Sequence, residues 1–270
     1  MKLSASLVKT YKMCRRKYEL KYLEELEPVG KSQALEDGSN YHERIEGFYK
    51  GEGVGIGWYE GLNPKISAMV WAYITYIYNQ YEELREIKYV EKWFEYPLTK
   101  KHSLVGRNDA ITKNGIPVEH KTTSMDVDEE YVYALQWDEQ ILSYMLANSI
   151  NEMYYTVVKK PTIRQKQNES EQDFYVRCCQ WYDTDTDKKV RLIKVARSNT
   201  SLEKHKKDLI VMANEIENCK HFYRNPNACT CYNRRCEYSQ VCLDYNPQLQ
   251  YVEFEKKKKY TEESEENGLF

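Results

Sequence analysis

Two carboxylates and an ammonium group lie close together near the middle of this 270-residue chain. Asp109 ends the run Gly106-Arg107-Asn108-Asp109, and ten residues later Glu119 opens Glu119-His120-Lys121-Thr122-Thr123. On a strand, alternation puts Glu119 and Lys121 on one face and His120 on the other. Two acids and a lysine converging on one point can hold Mg²⁺ or Mn²⁺ beside a phosphodiester. Whether they converge depends on the hairpin between them. Segments 103–112 and 116–123 read as strands around Lys113-Asn114-Gly115. A two-residue Asn-Gly loop would set Asp109 opposite His120, facing away from Glu119. A three-residue loop with Gly115 in the left-handed bulge position pairs Thr112 with Ile116 and sets Asp109 opposite Glu119 on one face. A shared metal site requires this second register, or an equivalent bulge, and it is the one expected.

The flanking elements must carry the remaining polar groups. Residues 4–26 read as a helix capped by Ser4 or Ser6, with Leu7, Tyr11, Cys14 and Tyr18 on one stripe. Pro28 and Gly30 break the chain. A second helix is expected from Asn40, where Asn40-x-x-Glu43 makes a capping box and Gly51 a stop, so that His42 falls in its first turn. A glycine-rich loop at 51–61 and an amphipathic helix at 64–86 follow, then a strand at 88–98. Segment 127–150 reads as one helix with Gln136, Gln140 and Tyr144 as a polar stripe. A buried strand at 153–159, a loop at 160–170, a helix at 169–181, a strand at 188–197 and a charged helix at 201–222 complete the pattern. The cysteine-rich stretch 223–246 comes next, and then a charged tail that reads as mobile.

Bulk composition narrows the function classes. Apolar residues make up 41%, enough for a sizeable core, and charged residues 30%. The net charge of −2 means that nucleic-acid binding would need a local basic groove rather than a global field. The 25 tyrosines suit packing better than a base-stacking channel, since most fall at helical or strand spacing. No run of about 18 apolar residues exists to span a membrane. The opening Met1-Lys2-Leu3-Ser4-Ala5-Ser6 has no apolar core for a secretory signal. Eight cysteines in such a chain suit a metal site in a reducing cytoplasm better than disulfides.

Cys229, Cys231, Cys236 and Cys242 crowd a fourteen-residue window, while Cys178, Cys179 and Cys219 lie elsewhere and Cys14 stands near the start. Two readings compete with plain buried thiols. The four could form a local Zn²⁺ site, against which the lack of paired C-x2-C knuckles counts. Alternatively, three of them join Cys14 to hold an iron–sulfur cluster that clasps the two chain ends.

Taken in order, these motifs resemble the RecB-type nucleases of the PD-(D/E)xK superfamily, and more narrowly the iron–sulfur members of phages, bacteria and CRISPR adaptation systems. Ser4-x-Ser6, Tyr11, Cys14 and Tyr18 are similar to the family's opening helix with its first cluster cysteine. Gly38-x-x-x-His42 is similar to its histidine motif, Gly106 to Asp109 to the motif of the catalytic aspartate, Glu119-x-Lys121-Thr122 to the (D/E)xK motif, and Gln140-x-x-x-Tyr144 to the helix motif. Tyr232 to Tyr238 followed by Cys242 is similar to the terminal cysteine motif, with Asn233 where glycine is frequent. The resemblance implies an α/β fold: a restriction-endonuclease-like core with a mixed central sheet flanked by helices. It implies segments 1–87 (helical), 88–200 (nuclease core), 201–246 (helix and cluster) and 247–270 (tail).

It also implies hydrolysis of DNA phosphodiesters by a Mg²⁺- or Mn²⁺-dependent deoxyribonuclease, foremost an exonuclease on single-stranded ends in recombination, repair or replication. Asp109, Glu119, Lys121, Gln140 and Tyr144 would serve catalysis. His42, Asp109, Glu119 and the His120 carbonyl would bind the metal, the imidazole tilting it toward Mn²⁺. Lys121 would orient or help deprotonate the attacking water, with Gln140 and Tyr144 behind it. Cys14, Cys229 (or Cys231), Cys236 and Cys242 would hold a [4Fe-4S] cluster. The rival readings are a nuclease trimming CRISPR spacer precursors beside an integrase, and a non-catalytic nucleic-acid-binding subunit. Expected partners are DNA with free ends, a recombination or integrase protein, or further copies of the chain. The expected location is the cytoplasm of a bacterial or phage-infected cell.

Overall fold

A computed structural model describes residues 1–30, 32–52, 63–231, 234–244 and 254–256. Most of the loop expected at 51–61 and most of the tail lie outside the described residues. The chain divides into two compact units, Met1–Ala5 with Ser32–Asn214, and Ser6–Lys31 with Glu215–Phe270. These units do not coincide with the four segments drawn from the sequence. The helix bearing His42 belongs with the sheet, and Cys14 belongs with the distant cysteines.

The first unit is built on a six-stranded mixed sheet of β1 (Lys2–Leu3), β2 (Ile87–Pro97), β3 (Ser103–Thr112), β4 (Pro117–Thr123), β5 (Glu152–Lys159) and β6 (Val190–Ala196). Strands β2, β3 and β4 run antiparallel in turn, β4 and β5 pair in parallel, and β6 closes the sheet antiparallel to β5. β1 pairs in parallel with the start of β3 at Ser103 and Leu104, a two-residue strand too short to be read from sequence. The hairpin takes the three-residue form. The Thr112 amide donates to the Ile116 carbonyl (3.0 Å) and the Gly115 amide to the Thr112 carbonyl (2.9 Å), with Gly115 at φ +83°. Ala110 pairs with Val118 and Ile111 with Pro117, the register that the three-residue loop sets.

The helices of this unit are α1 (Gln33–Tyr49), α2 (Pro64–Tyr73), α3 (Glu129–Ala134), α4 (Glu139–Asn148), α5 (Glu171–Gln180) and, as far as Asn214, α6 (Asn199–Asn218). Three differ from expectation. α1 begins seven residues before Asn40, because Ala34, Leu35 and Glu36 are good helix formers and Gln33 Nε2 donates to Asp37 Oδ1 across one turn (2.9 Å). Asn40 is therefore interior and His42 sits mid-helix, while Gly51 at φ +76° follows the helix end as expected. The expected helix 64–86 gives way after Tyr73 to a wide turn at Ile74–Tyr78 and a 3₁₀ turn at Glu82–Leu84. The expected helix 127–150 is two helices. Asp128 accepts from the Tyr131 amide (2.9 Å) and Asp138 from the Gln140 amide (2.8 Å), each capping its own helix. Gln136 thus leaves the polar stripe, whereas Gln140 and Tyr144 stay one turn apart on α4.

An apolar core joins one sheet face to α1, α2 and α5, through Tyr41, Ile45, Met69, Tyr73 and Phe174 against Ala110, Val118 and Val158. Cys178 and Cys179 are buried in this core, where desolvation pushes their thiols up to about 11 and about 12, so they act as small packing residues. Glu119 and Lys121 alternate with Val118 and leave that face toward α4. Among the described residues no helix is long and apolar enough to cross a membrane.

In the second unit, Cys14 takes an extended conformation that interrupts the expected helix 4–26 between Ala5–Met13 and Arg15–Tyr18, after which a wide helical turn at Glu19–Leu23 ends it short of the strand at Leu26. Strand Leu26–Pro28 pairs antiparallel with Phe254–Lys256, so this part of the tail is ordered rather than mobile. Tyr238 explains the pairing. It stacks on Phe254 with ring centroids 5.4 Å apart, and its hydroxyl donates to the Leu26 carbonyl (2.8 Å) in a small core with Leu20 and Val241.

Gly106 has a packing role that reaches toward the polar face. It opposes Phe94 across β2–β3, and a Cβ at position 106 would stand 2.5 Å from Phe94 Cζ. The Phe94 ring also meets Tyr144, edge-on at 5.5 Å between centroids. Gly106→Ala is therefore expected to cost about 1–3 kcal/mol in denaturant unfolding, with Phe94→Leu restoring most of it in the double variant. Unchanged stability in Gly106→Ala would mean that the ring has room to withdraw.

Candidate active site

Asp109 stands where three elements meet. Its Oδ2 accepts from the His120 amide (2.8 Å) and lies 3.6 Å from His42 Nδ1 on α1. Burial pushes its carboxyl up to about 6, against the opposing pull of Lys121 and the His120 amide. Burial, helped by the charge of Lys121, draws His42 down to about 4. Its imidazole is therefore neutral near pH 7 and free to act as a ligand.

Glu91 completes this cluster, and it was not among the residues expected from the sequence. Val90 pairs with Ala110 and Lys92 with Asn108, which sets Glu91 directly across from Asp109. Its backbone is left-handed at φ +51°, a conformation that costs a non-glycine residue on the order of 1–3 kcal/mol. Its Oε2 lies 2.5 Å from Arg107 Nε, yet out of line for a hydrogen bond, and has no hydrogen-bonding partner. Burial raises its carboxyl pKa, with Arg107 offsetting part of the rise. Ligand atoms of His42, Glu91 and Asp109 all lie within 4.8 Å of one another, a grouping that could hold a metal ion. The signal for Glu91 lay in the register of the β2–β3 hairpin, which pairs position 91 with 109.

Beside this triplet runs a hydrogen-bonded chain. Glu119 is 2% exposed, and its Oε1 accepts from Lys121 Nζ and from Gln140 Nε2 (2.8 Å). Gln140 also donates to the Tyr144 hydroxyl (3.0 Å). Glu119 Oε2 is buried with no hydrogen-bond partner. Burial and then the charge of Asp109 push Glu119 up to about 7, while Lys121 opposes. Lys121 is disfavoured by burial, but Glu119 and Asp109 outweigh that and raise its pKa, so it remains an ammonium. Burial and the Glu119 charge raise the Tyr144 phenol, keeping it neutral.

His120 points the other way, as alternation requires. Its Nδ1 lies 2.7 Å from Thr156 Oγ1, and its ring packs against Tyr73 and Tyr49 at 5.2 and 5.7 Å between centroids. Burial drives its pKa well below the usual range, so the ring is a neutral packing group. The structure thus gathers His42 and Asp109 with Glu91, and sets the chain of Glu119, Lys121, Gln140 and Tyr144 alongside them.

The second unit gathers the cysteines. Cys14, Cys229, Cys236 and Cys242 line one cavity together with Arg224 and Asn225, and all four are free thiols. Asn225 Nδ2 donates to the Met13 carbonyl (2.8 Å), and the Cys236 amide to the Cys229 carbonyl (2.8 Å), which ties the segments on which these cysteines sit. The side chain of Cys231 lies outside the described residues.

No curated protein matches the chain. Among solved structures it is similar to a phage-related exonuclease from Haemophilus somnus, at 14% identity and a TM-score of 0.40 over 80% of this chain and 92% of that one. It is also similar to an alkaline exonuclease from Laribacter hongkongensis, at 11% identity and a TM-score of 0.35 over 80% and 90%. The family model of the PD-(D/E)XK nuclease superfamily matches residues 2–243, which contain every residue of the two clusters described above. The chain belongs to the PD-(D/E)XK nuclease superfamily.

Proposed function

We propose that this nuclease is a divalent-metal-dependent deoxyribonuclease of the RecB-type iron–sulfur branch, acting as an exonuclease on single-stranded DNA ends in recombination, repair or replication. The observation that carries this reading is the meeting of His42, Glu91 and Asp109 within 4.8 Å, beside the buried Glu119–Lys121 pair. Nucleases of this superfamily use divalent metals, and the donors here fit Mg²⁺ or Mn²⁺. Two carboxylates are hard oxygen ligands, and the neutral imidazole favours Mn²⁺. The unpartnered Oε2 of Glu119 and the His120 carbonyl are further donors in this reading. A bound ion supplies an activated water and neutralises charge on the phosphoryl group. The protein's own groups do the positioning. Lys121, held as an ammonium, orients the water and screens the phosphate rather than removing a proton. Gln140 fixes Glu119 through Oε1, and Tyr144 backs Gln140.

End-labelled single- and double-stranded DNA, linear and circular, incubated with each metal or with EDTA, tests the reading. Linear single strands are expected to be degraded with Mn²⁺ or Mg²⁺ only. Asp109→Ala and Lys121→Ala should each reduce the rate by at least about 100-fold with the fold retained. Full activity in either variant, or in EDTA, would remove it.

The cluster assignment has its own support. Cys14, Cys229, Cys236 and Cys242 converge on one cavity from both ends of the sequence. The cluster's role here is structural, clasping the ends of the chain in the reducing cytoplasm of a bacterial or phage-infected cell. Protein purified without air should be brown, with iron and acid-labile sulfide in equal amounts, and Cys14→Ala or Cys242→Ala should bleach and destabilise it. A colourless protein carrying stoichiometric zinc would refute the assignment.

A further inference from the structure

Two neighbouring cross-strand pairs on β2 and β3 set an exposed aromatic plane beside the His42–Glu91–Asp109 triplet. Glu91 faces Asp109, and two residues along each strand Trp93 faces Arg107. The Trp93 indole is 61% exposed, and the Arg107 guanidinium carbon stands 5.7 Å from its ring centroid. Arg107 lines the same cavity as His42, Glu91 and Asp109, with Nε turned to Glu91 and a side chain that is 52% exposed. A lone exposed tryptophan needs no explanation. Here a flat π surface, a cation and a metal-ligating acid set follow one another along the same pair of strands.

We infer that Trp93 and Arg107 form a nucleotide subsite: the indole stacks on the base of a DNA nucleotide next to the scissile phosphate, and Arg107 pairs with its phosphate. This rests on the nuclease reading and deepens it. A guanidinium suits a phosphate because its planar fork of donors matches two oxygens at once. Stacking tolerates any base, since every base has a π face, so the subsite grips the strand without reading sequence. It also selects strand state. In a duplex both faces of a base are covered by its neighbours, so only an unpaired or frayed end can offer one to Trp93. A preference for single-stranded ends therefore follows from the surface itself.

The test is binding of end-labelled single-stranded oligonucleotides by fluorescence anisotropy, with Lys121→Ala as the parent so that no strand is cut. Trp93→Ala is expected to weaken binding about 5- to 100-fold and Trp93→Phe far less, with the thermal midpoint unchanged because the indole is largely exposed. An abasic residue moved stepwise from the labelled end should weaken the parent at one position, and Trp93→Ala should be indifferent at that same position. Arg107→Gln should lower the slope of log affinity against log salt by about one. In the otherwise wild-type enzyme, Trp93→Ala should raise KM more than it lowers kcat. A parent that binds DNA while Trp93→Ala binds equally well, or an abasic penalty equal in both, would overturn the subsite alone. A parent that binds no DNA would overturn the nuclease reading and the subsite with it.

Discussion

The burial of several carboxylates around one point is the constraint that shapes this protein. Asp109, Glu91 and Glu119 all have raised pKa values, in each case first because they are removed from water. Desolvated charge of one sign is costly unless it is compensated. The protein supplies two cations, Lys121 against Glu119 and Arg107 against Glu91, and leaves one oxygen of each of these two acids without a hydrogen bond. It also keeps His42 neutral. A site short of positive charge, with an unbonded Glu119 oxygen and a neutral imidazole, is one whose electrostatics a divalent cation completes.

Each of these groups is fixed by an ordinary local device. Gly115 in the left-handed bulge position sets the β3–β4 register, and at its end Asp109 Oδ2 reaches the His120 amide. Asp138 caps α4 and so starts the helix where Gln140 can reach Glu119. Gly106 admits the Phe94 ring, which meets Tyr144 and through it the Gln140 bond. The glycine of the Gly106–Asp109 stretch and the aspartate of the same stretch thus act on the two ends of one polar network. The strained backbone of Glu91 is the exception, a local cost carried at the position that faces Asp109.

Much of this was legible from residue types and spacing. Lys113-Asn114-Gly115 announced the hairpin and Gly115 its bulge, because only one loop length lets two acids share a face. Less legible were features decided by competition between equally valid local signals. The Asn40-x-x-Glu43 pattern would cap a helix, but the helix-forming run before it carries α1 through that point. Segment 127–150 has continuous helical periodicity, yet Asp138 serves better as a cap than as an interior residue. Glu91 could be found only by carrying the register across a second hairpin. The pairing of Phe254–Lys256 depends on a Tyr238 core that no local pattern encodes.

The central claim concerns where a divalent ion binds, and anomalous diffraction from crystals grown with Mn²⁺ tests it most directly. The expected result is a strong manganese peak bonded to the Asp109 carboxylate, with His42, Glu91 or Glu119 among its other ligands. A manganese peak elsewhere on the chain, with Asp109 free of it at saturating metal, would contradict the claim.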